Sequence, residues 1–195
     1  MTRAVLALFV LLVPSAALAH VGVGDTSGFG HGFSHPISGI DHVLTMVAVG
    51  LLAAHLAGRA LWLVPLTFVS VMAAAGALGM VGVDLPFVEI GIGLSVVVLG
   101  LVIAFQRDLP TSVAMALVAF FAIFHGHAHG TEMPGSSSGL LYGAGFVVAT
   151  ALLHAVGIGL GLALGYAGQS YSRRICQIGG AAMSLAGVAI LAGTI

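Results

Sequence analysis

Histidine and aspartate gather where an apolar segment begins, in the stretch HPISGIDH at residues 35–42. Imidazole and carboxylate groups are ligands that divalent transition metals accept. His35 and His42 are seven residues apart, so they share a face if one helix covers both, and Met46 extends that face by a turn. Asp41 could bind the metal directly or fix the tautomer of an imidazole. The stretch therefore predicts half of a metal site.

A second stretch, HGHAHGTE at residues 125–132, offers the same groups at the end of another apolar segment. His125 and His129 are i, i+4 neighbours on a helix, and Glu132 follows within one turn. His127 points away from that face. Imidazole and carboxylate without thiolate suit nickel, zinc or cobalt, whereas calcium or magnesium would take oxygen ligands alone. We expect the two stretches to meet in one site.

The number and placement of the histidines favour a shared ligand role over packing. A lone histidine near a helix end is commonly an interfacial residue with a satisfied hydrogen bond. This chain has nine histidines beside only five basic and six acidic residues, and ionisable groups within membrane segments mark functional sites. Seven are predicted on one side of a membrane: His20, His31, His35, His42, His125, His127 and His129.

Three other positions extend the hypothesis. His154, inside the apolar stretch at residues 150–161, is predicted to face the bundle interior and carry an ion onward. His55, near the far end of the first span, either continues that path or only reaches the interface. Cleavage after Ala19 would free an α-amine beside the imidazole of His20, a chelating pair that a flexible glycine-rich arm could bring to the cluster.

Composition indicates what must position these groups. The chain is 59% hydrophobic and 6% charged, whereas a soluble domain carries about 25% charged residues, so lipid must be its main solvent. A net charge of −1 gives no reason to expect nucleic acid as a partner. The single cysteine excludes an internal disulfide or a thiolate cluster. The 29 glycines suit close packing of membrane helices.

The chain divides into three predicted parts. Residues 1–19 have the basic start, short apolar core and small-x-small site of a cleaved signal peptide. Residues 20–35 form a periplasmic glycine- and histidine-rich N-terminal arm. Residues 36–195 form an all-α, six-helix transmembrane domain, because six apolar segments are long enough to span. These segments are 36–57, 60–82, 86–105, 110–128, 139–166 and 175–194.

The arginines orient the predicted bundle. With residue 20 outside, the loops with Arg59, with Arg107 and with Arg173 and Arg174 all fall on the cytoplasmic side, and there is no lysine. This is the positive-inside pattern. It predicts a multi-pass protein of a bacterial inner membrane, with both mature termini in the periplasm and the histidine cluster at the outer face.

At these residues the chain resembles the HupE/UreJ family of nickel permeases. Two motifs carry the resemblance, His-Pro-x-x-Gly-x-Asp-His and Phe-His-Gly-x-Ala-His-Gly-x-Glu, and both occur without substitution in the expected helices. The matching positions are His35, Pro36, Gly39, Asp41, His42, Phe124, His125, Gly126, Ala128, His129, Gly130 and Glu132.

The resemblance implies a permease for divalent nickel, with the motif histidines and acids in transport. It implies no prosthetic group: Ni2+ is the cargo, with Co2+ or Zn2+ as alternatives. Hydrogenase or urease maturation would be the downstream user, and an outer-membrane protein a supplier of the metal. His127 fills a variable position of the second motif and adds a ligand candidate.

Two other classes of function compete with transport. A membrane zinc hydrolase could activate water with the same histidines, and Asp41 or Glu132 would then act as the base. Against it, His154 and His55 mark a route across the membrane, which a hydrolase does not need. A metal sensor or chaperone partner would need a soluble domain that the chain lacks. No phosphate-binding loop pattern occurs, so the chain is not predicted to be an ATP-driven enzyme.

Overall fold

The computed structural model describes residues 28–135, 137–166 and 168–194, and all regular elements within these ranges are α-helices. The predicted signal peptide, His20 and most of the N-terminal arm lie outside the described residues. The helices are α1 (Gly28–Ser38), α2 (Ile40–Leu56), α3 (Ala60–Met80), α4 (Val88–Phe105), α5 (Thr111–Thr131), α6 (Gly139–Tyr166) and α7 (Gln169–Leu191).

Five helices, α3 to α7, are long and apolar enough to cross a membrane. They match five of the predicted spans to within a few residues, except that α7 begins at Gln169 instead of 175. The described part of the chain is therefore an all-α bundle of membrane-spanning helices. Large apolar side chains such as Trp62, Phe120 and Leu185 lie exposed on its outside, as expected where lipid is the solvent.

The first predicted span, 36–57, is not one straight helix. It is broken at Gly39, where α1 and α2 meet at 83°, so the two together make a sixth span only if the bent pair is counted as one. Residues 28–35, expected in a flexible arm, belong to α1. They are helical because α1 packs on α6: a methyl group on Gly32 would overlap the carbonyl of Tyr142.

Glycines let the helices cross at close range, as predicted from their number. In α5, a Cβ on Gly126 would overlap the carbonyl oxygen of Met72 in α3. In α2, a Cβ on Gly50 would overlap the carbonyl oxygen of His154 in α6. Without a hydrophobic force between helices in lipid, such close backbone contact supplies much of the attraction. These crossings hold α2, α3, α5 and α6 around the histidines.

The two ends of the bundle differ in chemistry. The end where α2 begins and α5 finishes carries His35, His129 and Glu132, and we call it the histidine end. The opposite end carries all four arginines of the described chain, at Arg59, Arg107, Arg173 and Arg174, and we call it the arginine end. The interior between the ends is a continuous apolar core that includes Val49, Val64 and Val118.

Candidate metal centre

The break at Gly39 places His35 on α1 and His42 on α2, so they do not share a helix face. Gly39 has an extended backbone (φ −90°, ψ 120°), and Oδ1 of Asp41 accepts a hydrogen bond of 2.7 Å from the backbone N–H of His42. Asp41 thus satisfies a free N–H group at the start of α2. Asp41 belongs to neither of the two groups of candidate metal ligands found among the described residues, which are given below. Its hydrogen bond is with the backbone and not with an imidazole.

Helix α5 supplies to the site one buried histidine, His125, and one partly buried histidine, His129, and it lies close to α3. His125 and His129 are one turn apart and face the bundle interior. The glycine that follows each of them, Gly126 and Gly130, is where α5 meets the backbone of α3. A side chain at either glycine would push the helices apart and withdraw both imidazoles.

Three side chains form a group open to solvent, which we call the surface triad: His35, His129 and Glu132. Nε2 of His35 lies 2.7 Å from Oε2 of Glu132, and Nδ1 of His129 lies 3.3 Å from the same oxygen. The hydrogen bonds from His129 and His35 lower the pKa of Glu132 to about 2, against the opposing effect of partial burial. Glu132 is therefore a carboxylate at any physiological pH, and its charge attracts cations.

Three histidines form a second group just beneath, the buried triad: His42, His125 and His129. Potential ligand atoms of all three lie within 4.8 Å of one another. His42 and His125 are fully buried, and their rings are 5.2 Å apart between centroids. His129 belongs to both triads and connects the solvent-exposed group to the interior.

A buried serine orients the ring of His125. The hydroxyl of Ser95 donates to the carbonyl of Ile92 at 2.6 Å, which uses its only hydrogen. Its oxygen, 2.8 Å from Nε2 of His125, must therefore accept from that nitrogen. The hydroxyl of Thr45, 2.9 Å away, is the other donor to Ser95. Nδ1 of His125 keeps its lone pair, is buried, and has no hydrogen-bond partner in the described chain.

The other two rings are oriented in the same way. Nε2 of His42 lies 3.4 Å from the hydroxyl oxygen of Thr150, whose own hydrogen points to the sulfur of Met72. Nδ1 of His129 faces the carboxylate of Glu132. With an N–H at each of these outer nitrogens, Nδ1 of His42 and Nε2 of His129 would present their lone pairs to a bound metal ion.

These two nitrogens are 3.0 Å apart. In the metal-free protein a proton on one of them makes this contact a hydrogen bond, and a metal ion bound to both nitrogens would replace that proton. Two imidazole nitrogens about 2.1 Å from one ion and at right angles around it lie about 3.0 Å apart, which matches this separation. The donor set, three imidazoles with an adjacent carboxylate, suits a borderline divalent ion.

His154 lies deeper, on α6, beyond the ring of Phe68. Phe68 is fully buried, 6.0 Å from the ring of His125 and 5.4 Å from the ring of His154 between centroids. His154 is 1% exposed, and neither of its ring nitrogens has a hydrogen-bond partner within the described ranges. A buried polar group normally has a partner, so an unpaired imidazole in this place is available to a passing cation.

The structure places the remaining predicted histidines away from the triads. Nε2 of His127 donates to the carbonyl of Val83 at 2.6 Å, in the connection between α3 and α4. His55 lies at the arginine end, with Nε2 3.5 Å from Oδ1 of the exposed Asp108. His20 lies in the part of the chain that the structure does not describe.

The hydroxyl residues that orient the rings were not anticipated from the sequence. Ser95, Thr45 and Thr150 are all fully buried, and each stands alone in an otherwise apolar segment. That isolation is the one signal that could have identified them, because a hydroxyl group in a membrane span needs a partner.

Comparison with known proteins agrees with this picture. The chain matches the family model described as HupE / UreJ protein over residues 8–190. It is also 50% identical over 184 residues to Protein HupE of Rhizobium leguminosarum bv. viciae, and the match covers 94% of each chain. No solved structure matches it. A family match over nearly the full length, with both histidine motifs intact, shows that the chain belongs to the HupE/UreJ family.

Proposed function

We propose that this protein is an inner-membrane permease that takes up divalent nickel through the surface and buried triads. The observation that carries the proposal is the convergence of three imidazole rings, those of His42, His125 and His129, in a charge-poor bundle. A hydroxyl group or a carboxylate lies beside a ring nitrogen of each of them and can orient the ring. This is the arrangement that metal-binding histidines generally require.

The burial of the ligands supports a direction of movement. Side-chain exposure falls from 52% at Glu132 and 35% at His35 to 13% at His129, and His42 and His125 are fully buried. An ion captured by the carboxylate therefore loses its water in steps as it passes from the surface triad to the buried triad. Beyond Phe68, His154 is the next group able to hold it.

The membrane potential is sufficient to drive such uptake. An inside-negative potential of about 100 mV favours entry of a divalent cation by about 4.6 kcal/mol, twice the value for one charge. Uptake by this route needs neither ATP nor an exchanged ion. The histidine end would face the periplasm and the arginine end the cytoplasm, in accord with the positive-inside rule.

Nickel is the proposed cargo because imidazole ligands without thiolate suit it and because the family resemblance implies it. Cobalt and zinc are the competitors to test, since imidazole sites follow a general order of affinity. The alternative of a membrane zinc hydrolase gains no support from the comparisons. It also leaves unexplained why the unpaired imidazole of His154 lies beyond the buried triad.

The decisive experiment is uptake of radiolabelled nickel by cells that produce the protein, with unlabelled nickel, cobalt, zinc and copper as competitors. His42→Ala serves as the blank and Val43→Ala as the matched control on the same helix turn. Uptake above the blank, reduced most strongly by nickel or cobalt, would establish a permease. Equal counts in wild type and His42→Ala would refute the proposal.

A further inference from the structure

The crossing of α2 with α6 repeats the crossing of α5 with α3. A Cβ on Gly50 of α2 would overlap the carbonyl of His154, and a Cβ on Gly126 of α5 would overlap the carbonyl of Met72. One turn further on in each pair, the contacts again correspond. A Cβ on Gly161 would meet Ala54 and the carbonyl of Leu51, and one on Gly79 would meet Gly130 and the carbonyl of His127.

Corresponding residues of the two crossings are separated by a constant number of positions in the sequence. Gly50, Leu51 and Ala54 become Gly126, His127 and Gly130 when 76 is added, and Met72 and Gly79 become His154 and Gly161 when 82 is added. Buried positions follow the same shift. Four buried residues of α3 correspond to four buried residues of α6: Ala60 to Tyr142, Val64 to Phe146, Phe68 to Thr150 and Met72 to His154.

In the remaining helix pair, α4 and α7, each helix is the counterpart of the other. A Cβ on Gly100 would meet Gly180 and Ser184, and a Cβ on Gly180 would meet Gly100 and Ala104. With a shift of 80, Gly100 becomes Gly180 and Ala104 becomes Ser184. A two-fold relation between α2–α4 and α5–α7 requires this result, because its axis must pass between the third helices of the two halves.

Since each half contains three helices that run between the two ends of the bundle, the second half runs in the opposite direction to the first. Such inverted repeats are common in secondary transporters, where the two halves exchange shapes to open the site to each side in turn. The repeat relates the histidine end to the arginine end, so every residue of the buried triad has a counterpart on the other side. His42 corresponds to Val118, His125 to Val49 and His129 to Ala53.

We propose that Val49, Ala53 and Val118 form the closed exit of the permease, the apolar counterpart of the buried triad at the arginine end. All three are fully buried and belong to the same core cluster. Their helices α2 and α5 are the first helices of the two repeats. When the α2–α6 crossing and the α3–α5 crossing exchange conformations, these three residues separate. The ion then leaves past apolar side chains, which offer it no ligand and do not retain it. This proposal rests on the proposed function as a metal permease.

The test measures chemical labelling of introduced cysteines, and only one natural cysteine, Cys176, has to be replaced first. In a Cys176→Ser background, one cysteine is introduced at Val118, or at Phe120 as the lipid-facing control two residues away on α5. A water-soluble maleimide is applied from the arginine end in membrane vesicles. We expect slow labelling of Val118→Cys without metal and labelling about fivefold faster or more with saturating Ni2+, as the open state gains population. Labelling of Phe120→Cys should not change.

Uptake measured on the same variants separates the two proposals. The variants could take up nickel while Ni2+ leaves the labelling rate unchanged at Val118→Cys and at a second position, Val49→Cys. That result would overturn the proposed exit and leave the proposed permease intact. Absence of uptake in the wild type would overturn the permease itself. Adding His42→Ala to Val118→Cys should remove the nickel effect on labelling, and an effect that persists would also count against the exit.

Discussion

Nδ1 of His42 and Nε2 of His129 lie 3.0 Å apart, on helices that approach the site from opposite directions. Both rings place their other nitrogen near an oxygen, from Thr150 and Glu132 respectively. The 3.0 Å separation is a hydrogen-bond distance, so in the metal-free protein one of these nitrogens carries a proton and the other accepts it. A metal ion bound to both nitrogens would replace that proton, and the first prediction follows from this exchange.

Nickel should stabilise the folded wild-type protein against thermal unfolding. A ligand that binds only the native state at about 100 times its dissociation constant contributes about 2.7 kcal/mol. We expect the melting temperature of purified wild-type protein in detergent to rise with Ni2+, and that of His42→Ala or His129→Ala not to rise. Magnesium at the same concentration is the control ion. A shift in the alanine variants equal to that of wild type would contradict the ligand assignment.

Ser95→Ala should weaken metal binding without removing a ligand. Loss of the hydroxyl leaves Nε2 of His125 without its partner and frees the ring to turn, and such changes typically cost about 10- to 100-fold in metal affinity. Ser184→Ala is the matched control, because Ser184 is also a buried serine but bonds only backbone carbonyls of α4 and α7. Calorimetric titration with Ni2+ distinguishes the two. Equal affinities would show that Ser95 does not orient the site.

Glu132→Gln should slow nickel capture at every pH between 5 and 8 without changing the shape of the pH profile. The pKa of Glu132 is lowered to about 2, so its contribution is present above its ordinary pKa and is lost only as the pH falls toward 2. A decline in capture between about pH 7 and pH 5 would therefore not come from protonation of Glu132. Initial uptake rates test this, and a profile that flattens in the variant would assign the decline to Glu132.

His154→Ala should separate binding from transport. Nickel binding by the purified variant should match that of wild type, because the buried triad is intact, while uptake into cells should fall to the level of the blank. Thr150→Val is the comparison variant on the same helix, and it should reduce binding because it removes the partner of His42. Normal uptake by His154→Ala would exclude this residue from the path.

His127→Ala should have a milder effect than any triad variant. Its ring is bound to the connection between α3 and α4, so we expect partial uptake and a changed preference among nickel, cobalt and zinc. Competition assays on His127→Ala beside His129→Ala measure this. An unchanged order of competitors would restrict His127 to a structural role.

Much of the bundle could be predicted because lipid constrains sequence strongly. Helices α3 to α6 begin and end close to the expected positions, since Gly58, Pro86 and Pro110 interrupt the apolar runs. The approach of the two histidine motifs could also be predicted, because both lie at segment ends on one side of the membrane. The break at Gly39 could not, because residues 36–57 read as one continuous apolar span.

The partners of the histidines could not be predicted for a different reason. Ser95 and Thr150 are distant from the motifs in the sequence, and they reach the imidazoles only through the glycine crossings that bring four helices together. The same is true of Phe68, which reads as an ordinary apolar residue until its position between His125 and His154 is known. Contacts of this kind belong to tertiary structure and leave no local pattern.

The double role of His129 limits how many ions the entrance can hold. Its two ring nitrogens face the two triads, Nδ1 toward Glu132 and Nε2 toward His42, and a neutral imidazole offers only one lone pair. Filling both triads together would demand an imidazolate bridge between two dications. Moving the lone pair from one triad to the other requires the proton of His129 to change from one ring nitrogen to the other, so this side chain can serve as a ligand to only one ion at a time.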